Sequence, residues 1–148
     1  MLVRTEIDPK YAQPEIHVCG SELNDEVKKT YDELKSLYGN YLVGTDDRGN
    51  RCMLSISDIY TIFAQKQRVI VKTPTGDYTV TKKLYELEAE LEGLGFVRIS
   101  KSEIVSYKQI KRLDMNLTGT IRLILPCGYE TYTSRRNVTT IKKLLAVK

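Results

Sequence analysis

Residues 58–81 read DIYTIFAQKQRVIVKTPTGDYTVT, and the period of this stretch decides the fold. Asp58–Ala64, Arg68–Thr73 and Tyr78–Thr81 follow a two-residue rhythm rich in β-branched and aromatic side chains, which predicts three strands. The polar link Gln65-Lys66-Gln67-Arg68 and the turn Pro74-Thr75-Gly76-Asp77 separate them. Connections this short join antiparallel neighbours, because a parallel pair needs a crossover of about a dozen residues.

Working outward, the same rhythm holds on both sides. Upstream, Tyr41–Thr45 and Arg51–Ile56 flank Asp46-Asp47-Arg48-Gly49-Asn50, a hairpin signal. Before that hairpin, Leu23, Val27, Tyr31, Leu34 and Leu37/Tyr38 recur at helical spacing. Ser21 is the expected N-cap of this helix and Gly39-Asn40 its stop. Val3–Ile7 and Glu15–Cys19 alternate briefly around Pro9 and Pro14 and are expected to be strands. Downstream, Lys82–Leu91 places Leu84, Leu87 and Leu91 on one helical stripe, opposed by Glu86, Glu88, Glu90 and Glu92. Strands are expected again at Phe96–Ile99, Ile104–Tyr107, Ile110–Met115, Thr120–Leu125 and Glu130–Thr133. A last helix is expected over Val138–Ala146, capped by Asn137. No βαβ alternation occurs, which argues against a dinucleotide-binding fold.

Length and composition agree with a folded chain. At 148 residues, 41% hydrophobic and 28% charged, it can bury a core without disulfides or a structural metal. No apolar run approaches the roughly 20 residues of a membrane span, and the N-terminus MLVRTEIDPK is charged where a signal peptide is apolar. Cys19, Cys52 and Cys127 are odd in number and lie far apart, as reduced thiols do. A cytoplasmic location is expected.

The net charge of +4 joins two unlike parts. Residues 1–60 carry seven Lys/Arg against eleven Asp/Glu, whereas residues 93–148 carry eleven Lys/Arg against only Glu103, Asp114 and Glu130. A basic block of that kind points to a polyanion, most often nucleic acid.

Little in the chain points to catalysis. The one histidine, His17, stands two residues before Cys19, and two ligands make no zinc site. Cys127 lies in a Pro-Cys-Gly turn with no base nearby in sequence to activate it. Gly93-Leu94-Gly95 ends a helix and is no phosphate loop. The expectation is a non-enzyme with no catalytic residue, metal or cofactor.

Three polar loops carry the chemistry used on DNA: Gln65–Arg68, Arg98–Ser102 and Ser134–Asn137. Arginine and lysine suit guanine edges and phosphates, glutamine and asparagine suit adenine, and serine suits phosphate. The segments around them resemble the LytTR DNA-binding domain of bacterial transcriptional regulators. The resemblance is carried by Asp58-Ile59-Tyr60-Thr61-Ile62-Phe63, Leu84-Tyr85-Glu86-Leu87-Glu88, Phe96-Val97-Arg98-Ile99-Ser100-Lys101-Ser102-Glu103-Ile104-Val105-Ser106 and Tyr132-Thr133-Ser134-Arg135-Arg136-Asn137-Val138.

The resemblance implies an α+β, mainly β fold: an elongated stack of small antiparallel sheets with a short amphipathic helix and a C-terminal helix. It also implies a double-stranded DNA partner, promoter direct repeats or half-sites, entered by loops at one edge of the domain. Carried over, the reading residues are Lys66, Gln67 and Arg68, then Ser100, Lys101 and Ser102, then Arg135, Arg136 and Asn137. Arg136 and Lys101 are the expected base readers, Arg68 and Arg135 the phosphate anchors, and Arg98 a supporting strut. Many relatives have histidine at Ser100 and asparagine at Ser106, so the preferred base sequence does not transfer.

The domain is expected over residues 54–148. Residues 1–53 are then a strand-helix-hairpin extension, too short for the receiver domain of familiar members. That extension is expected to cap the domain, to form a homodimer, or to receive an inhibitory membrane protein partner. The competing reading is a β-rich protein-interaction or RNA-binding module, with Tyr78, Tyr107, Tyr129 and Tyr132 as stacking platforms.

Overall fold

The computed structural model describes residues 1–12, 14–38 and 41–145. The chain divides into two compact units, Met1–Gly39 and Asn40–Lys148.

Among the described residues, the first unit contains one regular element, the helix α1 (Asp25–Tyr38). Asn24 starts it: its side-chain Oδ1 accepts from the Val27 N–H at 2.9 Å, and its carbonyl accepts from the Lys28 N–H at 3.0 Å. The cap therefore lies three residues after the expected Ser21, directly before the acidic first turn of Asp25 and Glu26 that complements the helix dipole. Val3–Ile7 and Glu15–Cys19 are not strands. Among the described residues, no strand in this unit offers them a ladder, and a lone pair of short strands is marginal in water. The expected stop at Gly39-Asn40 lies outside the described residues.

The second unit is mainly β. Its elements, in chain order, are β1 (Tyr41–Thr45), β2 (Arg51–Ser55), β3 (Thr61–Gln65), β4 (Arg68–Thr73), β5 (Gly76–Val80), the helix α2 (Leu84–Glu90), β6 (Phe96–Ser100), β7 (Glu103–Ser106), β8 (Arg112–Met115), β9 (Ile121–Ile124), β10 (Glu130–Tyr132) and the helix α3 (Val138–Leu144). All pairings are antiparallel, and the strands form a seven-stranded sheet, β2-β1-β5-β4-β3-β7-β6, and a three-stranded sheet, β10-β9-β8. The β1–β2 hairpin joins the larger sheet through the Thr45↔Thr79 pair. A domain boundary at 53/54 thus falls within the second unit, and the hairpin belongs with the strands that follow it.

Two cores fill the faces of this unit. The α2 stripe Leu84, Leu87 and Leu91 packs with Ile59, Ile62, Val71 and Ile104. The second core brings Val97, Ile99 and Val105 against Ile121, Leu123 and Leu125 of the β9 segment and Ile141 of α3. Each fully buried side chain of this size contributes about 1.5–3 kcal/mol of hydrophobic stabilisation. Ile104 and Val105 point into different cores, so all four residues of β7 are buried. That double burial sets the β6–β7 hairpin, at the end of the seven-stranded sheet, between the two cores.

Candidate nucleic-acid interface

The first polar loop is the two-residue turn Lys66-Gln67 between β3 and β4. Both residues have positive φ, 49° and 64°, the signature of a type I′ hairpin turn. Such turns favour Asn-Gly because a side chain in the left-handed region costs roughly 1–2 kcal/mol. Here two long polar side chains occupy it instead, and Lys66, Gln67 and Arg68 are all exposed.

The second loop is braced from beneath. The Arg98 guanidinium donates to the Ser100 carbonyl at 2.7 Å and to the Lys101 carbonyl, and pairs with Glu88 of α2 at 2.7 Å. The Ser102 N–H donates to Ser100 Oγ at 3.2 Å. Arg98 and Ser100 therefore shape the turn, while Lys101 and Ser102 stand exposed on it.

The third loop is a 3-10 turn, Arg135–Asn137, that runs straight into α3. The Asn137 N–H donates to the Ser134 carbonyl at 3.0 Å, and its side-chain amide donates to Ser134 Oγ at 2.7 Å. Asn137 thus closes the turn with its own side chain and makes no side-chain cap on α3. Arg135 and Arg136 are exposed.

Backbone hydrogen bonds gather the loops along one edge. The Ala64 N–H donates to the Ser102 carbonyl at 2.8 Å, two residues before Lys66, and the Ser134 N–H donates to the Ile99 carbonyl at 2.7 Å. The nine residues singled out in the sequence therefore lie on three adjoining loops or on the strand ends that flank them, as Arg68 and Ser100 do. Among the described residues, Lys66, Arg68, Lys101, Arg135 and Arg136 have no ion-pair partner, whereas Lys72, Lys82, Arg98, Arg112 and Arg122 each face a carboxylate.

The LytTr DNA-binding domain model matches residues 49–146. The chain belongs to the LytTR DNA-binding family. An uncharacterized HTH-type transcriptional regulator of Staphylococcus aureus (strain MSSA476) is 32% identical over 142 residues, covering 95% of each chain. A second, from strain NCTC 8325 / PS 47, is 32% identical over 133 residues, 89% of each chain. A solved LytTr DNA-binding domain from Bacillus cereus superposes with a TM-score of 0.67 at 22% identity, covering 72% of this chain and 96% of that one. Among the described residues, the LytTR domain has no pair of α-helices joined by a short turn.

The tyrosines of the competing reading are mostly committed to the interior. Tyr78 and Tyr107 pack against the two cores. Tyr129 donates to Glu103 at 3.1 Å and stacks on Phe63 with ring centroids 6.2 Å apart. Burial, and then the Glu103 charge, push the Tyr129 phenol well above its ordinary pKa, so it remains a donor. Tyr132 is exposed. No helix among the described residues is long and apolar enough to cross a membrane.

One polar residue of this region was not singled out from sequence. Glu103 is buried, and its carboxylate accepts from three hydroxyl groups. Its signal is a lone acid at the head of the short strand Glu103-Ile104-Val105-Ser106.

Proposed function

We propose that this LytTR protein is a sequence-specific transcriptional regulator that reads successive major grooves of duplex DNA through its three loops. The observation that carries the reading is the edge itself: three adjoining loops whose exposed cations, Lys66, Arg68, Lys101, Arg135 and Arg136, have no carboxylate partner among the described residues. Such cations are available to phosphates and base edges, and the release of counterions makes their binding salt-dependent. Arg136 and Lys101 read bases, Arg68 and Arg135 anchor phosphates, and Gln67 and Asn137 supply amides. Ser100 acts chiefly through the turn it closes. Two protomers occupy neighbouring half-sites as a homodimer, in the cytoplasm.

Selection of bound sites from a random duplex pool tests this directly. A recurrent motif with half-sites in helical phase is the expected result. No enrichment, or tighter binding to single-stranded RNA in a competition gel shift, would refute it.

A further inference from the structure

Glu103 breaks the ordinary rule for charges. Its side chain opens an interior strand at 7% exposure, and among the described residues no cation pairs with it. A buried carboxylate is costly unless its lone pairs are filled. Here Thr61 Oγ1 donates at 2.6 Å, nearer than the Ile104 carbonyl that shares its proton at 3.0 Å, Tyr129 OH at 3.1 Å and Thr131 Oγ1 at 2.5 Å. These donors come from three places: β3, the segment leading into β10, and β10 itself.

Each of those strands feeds a reading loop. Thr61 opens β3, which runs to the Lys66-Gln67 turn. Glu103 follows Lys101-Ser102 directly and pairs in register with Phe63 of β3. Thr131 lies in β10, three residues before Ser134. One carboxylate thus ties the seven-stranded sheet, which carries the first two loops, to the three-stranded sheet, whose last strand leads into the third.

We propose that Glu103 is a positioning residue for DNA reading, fixing the spacing of the three loops by fastening β3, β7 and β10 to a single carboxylate. The inference rests on the DNA-reading proposal above. Recognition tolerates displacements of only about half an ångström, so a slack joint between the sheets erodes base discrimination before it erodes phosphate contact. An apolar side chain at 103 would fill the space but leave three hydroxyls without this acceptor. Glutamine would keep the joint, because its carbonyl accepts and its amide donates to a hydroxyl that can turn.

The test is the ratio of affinities of the whole protein for its best selected duplex and for a scrambled duplex, measured for wild type, E103L, E103Q and T131V. The folded fraction multiplies both affinities equally and cancels in the ratio, so a loss of stability alone does not move it. E103L is expected to lower the ratio about tenfold, the equivalent of one lost base contact, with little change on the scrambled duplex. E103Q is expected to restore most of it, and T131V, which removes one donor, to fall between. If E103L proves insoluble, T131V still decides. An unchanged ratio in the folded variants would overturn the role of Glu103 alone, whereas a wild-type ratio near one would overturn the DNA reading beneath it.

Discussion

The arginines of two regions of the second unit differ in what they face. On the three-stranded sheet, Arg112 and Arg122 converge on one carboxylate: Asp114 accepts from Arg112 at 2.8 Å and from Arg122 at 2.5 and 3.1 Å. Glu130 adds an oxygen 3.8 Å from the Arg122 guanidinium. Along the loop edge, Arg68, Arg135 and Arg136 have no carboxylate partner among the described residues, and neither do Lys66 and Lys101. A count of cations over residues 93–148 mixes members of both sets. The field that a polyanion meets comes from the unneutralised set, because a paired arginine presents little net charge beyond its own ion pair.

The two regions differ most at the loop edge. Arg136→Ala is expected to cost about 1–3 kcal/mol in affinity for the selected duplex and to relax discrimination at one base position. A footprint on the selected site that survives this change would remove Arg136 from the readers. Arg68→Ala is expected to act differently, weakening all duplexes alike and making the salt slope shallower by about one. Titrations of matched and scrambled duplexes across a salt series separate the two behaviours.

Arg112→Ala is the counterpart on the sheet face. Its partner lies two residues away on the same strand, and Asp114 retains Arg122. Duplex affinity is expected to change by no more than about 0.5 kcal/mol, as for ordinary surface substitutions. A loss as large as that of Arg136→Ala, in the same binding titration, would erase the distinction between the regions.

Much of this was legible in the sequence, and the parts that were not share a cause. The two-residue rhythm located β3, β4, β6, β7 and β9 because it is set by neighbours in the chain. Polar interruptions of that rhythm located the loops for the same reason. Val3–Ile7 carries a similar rhythm but has no ladder partner among the described residues, and pairing is not written in one segment. The β1–β2 hairpin showed its turn, yet its place in the sheet depends on Thr45 meeting Thr79, 34 residues on. Ser100 and Asn137 have the chemistry of readers, while their side chains also close their own turns. Glu103 and Asp114 look alike in a count of charges. One is clamped by hydroxyls from distant strands and the other by arginines on β8 and β9, and only the fold brings those partners to them.

The smallest effect tests the neutralisation itself. Hydrogen bonds from Arg112 and then Arg122 hold the Asp114 carboxyl below the ordinary carboxylate range. A depressed folded-state pKa gives stability that is fully present above the unfolded value, about 4, and is lost as pH falls through the lower folded value. Asp114→Asn is therefore expected to flatten the stability curve in that acid window, read by thermal melts from pH 5 to about pH 2. Asp46 is depressed in the same direction by the Asn50 backbone N–H, so Asp46→Asn should flatten the window too. The two variants part on DNA. At neutral pH, Asp114→Asn leaves Arg112 and Arg122 facing solvent with one carboxylate fewer. Its affinity for scrambled duplex is expected to rise slightly at low salt, by no more than about threefold, and to return to the wild-type value as salt screens the new charge. Asp46→Asn, in a turn where no arginine pairs with the carboxylate, is expected to leave duplex affinity near the wild-type value. Equal behaviour of the two variants on DNA would mean that the carboxylate at Asp114 is not what silences the sheet face.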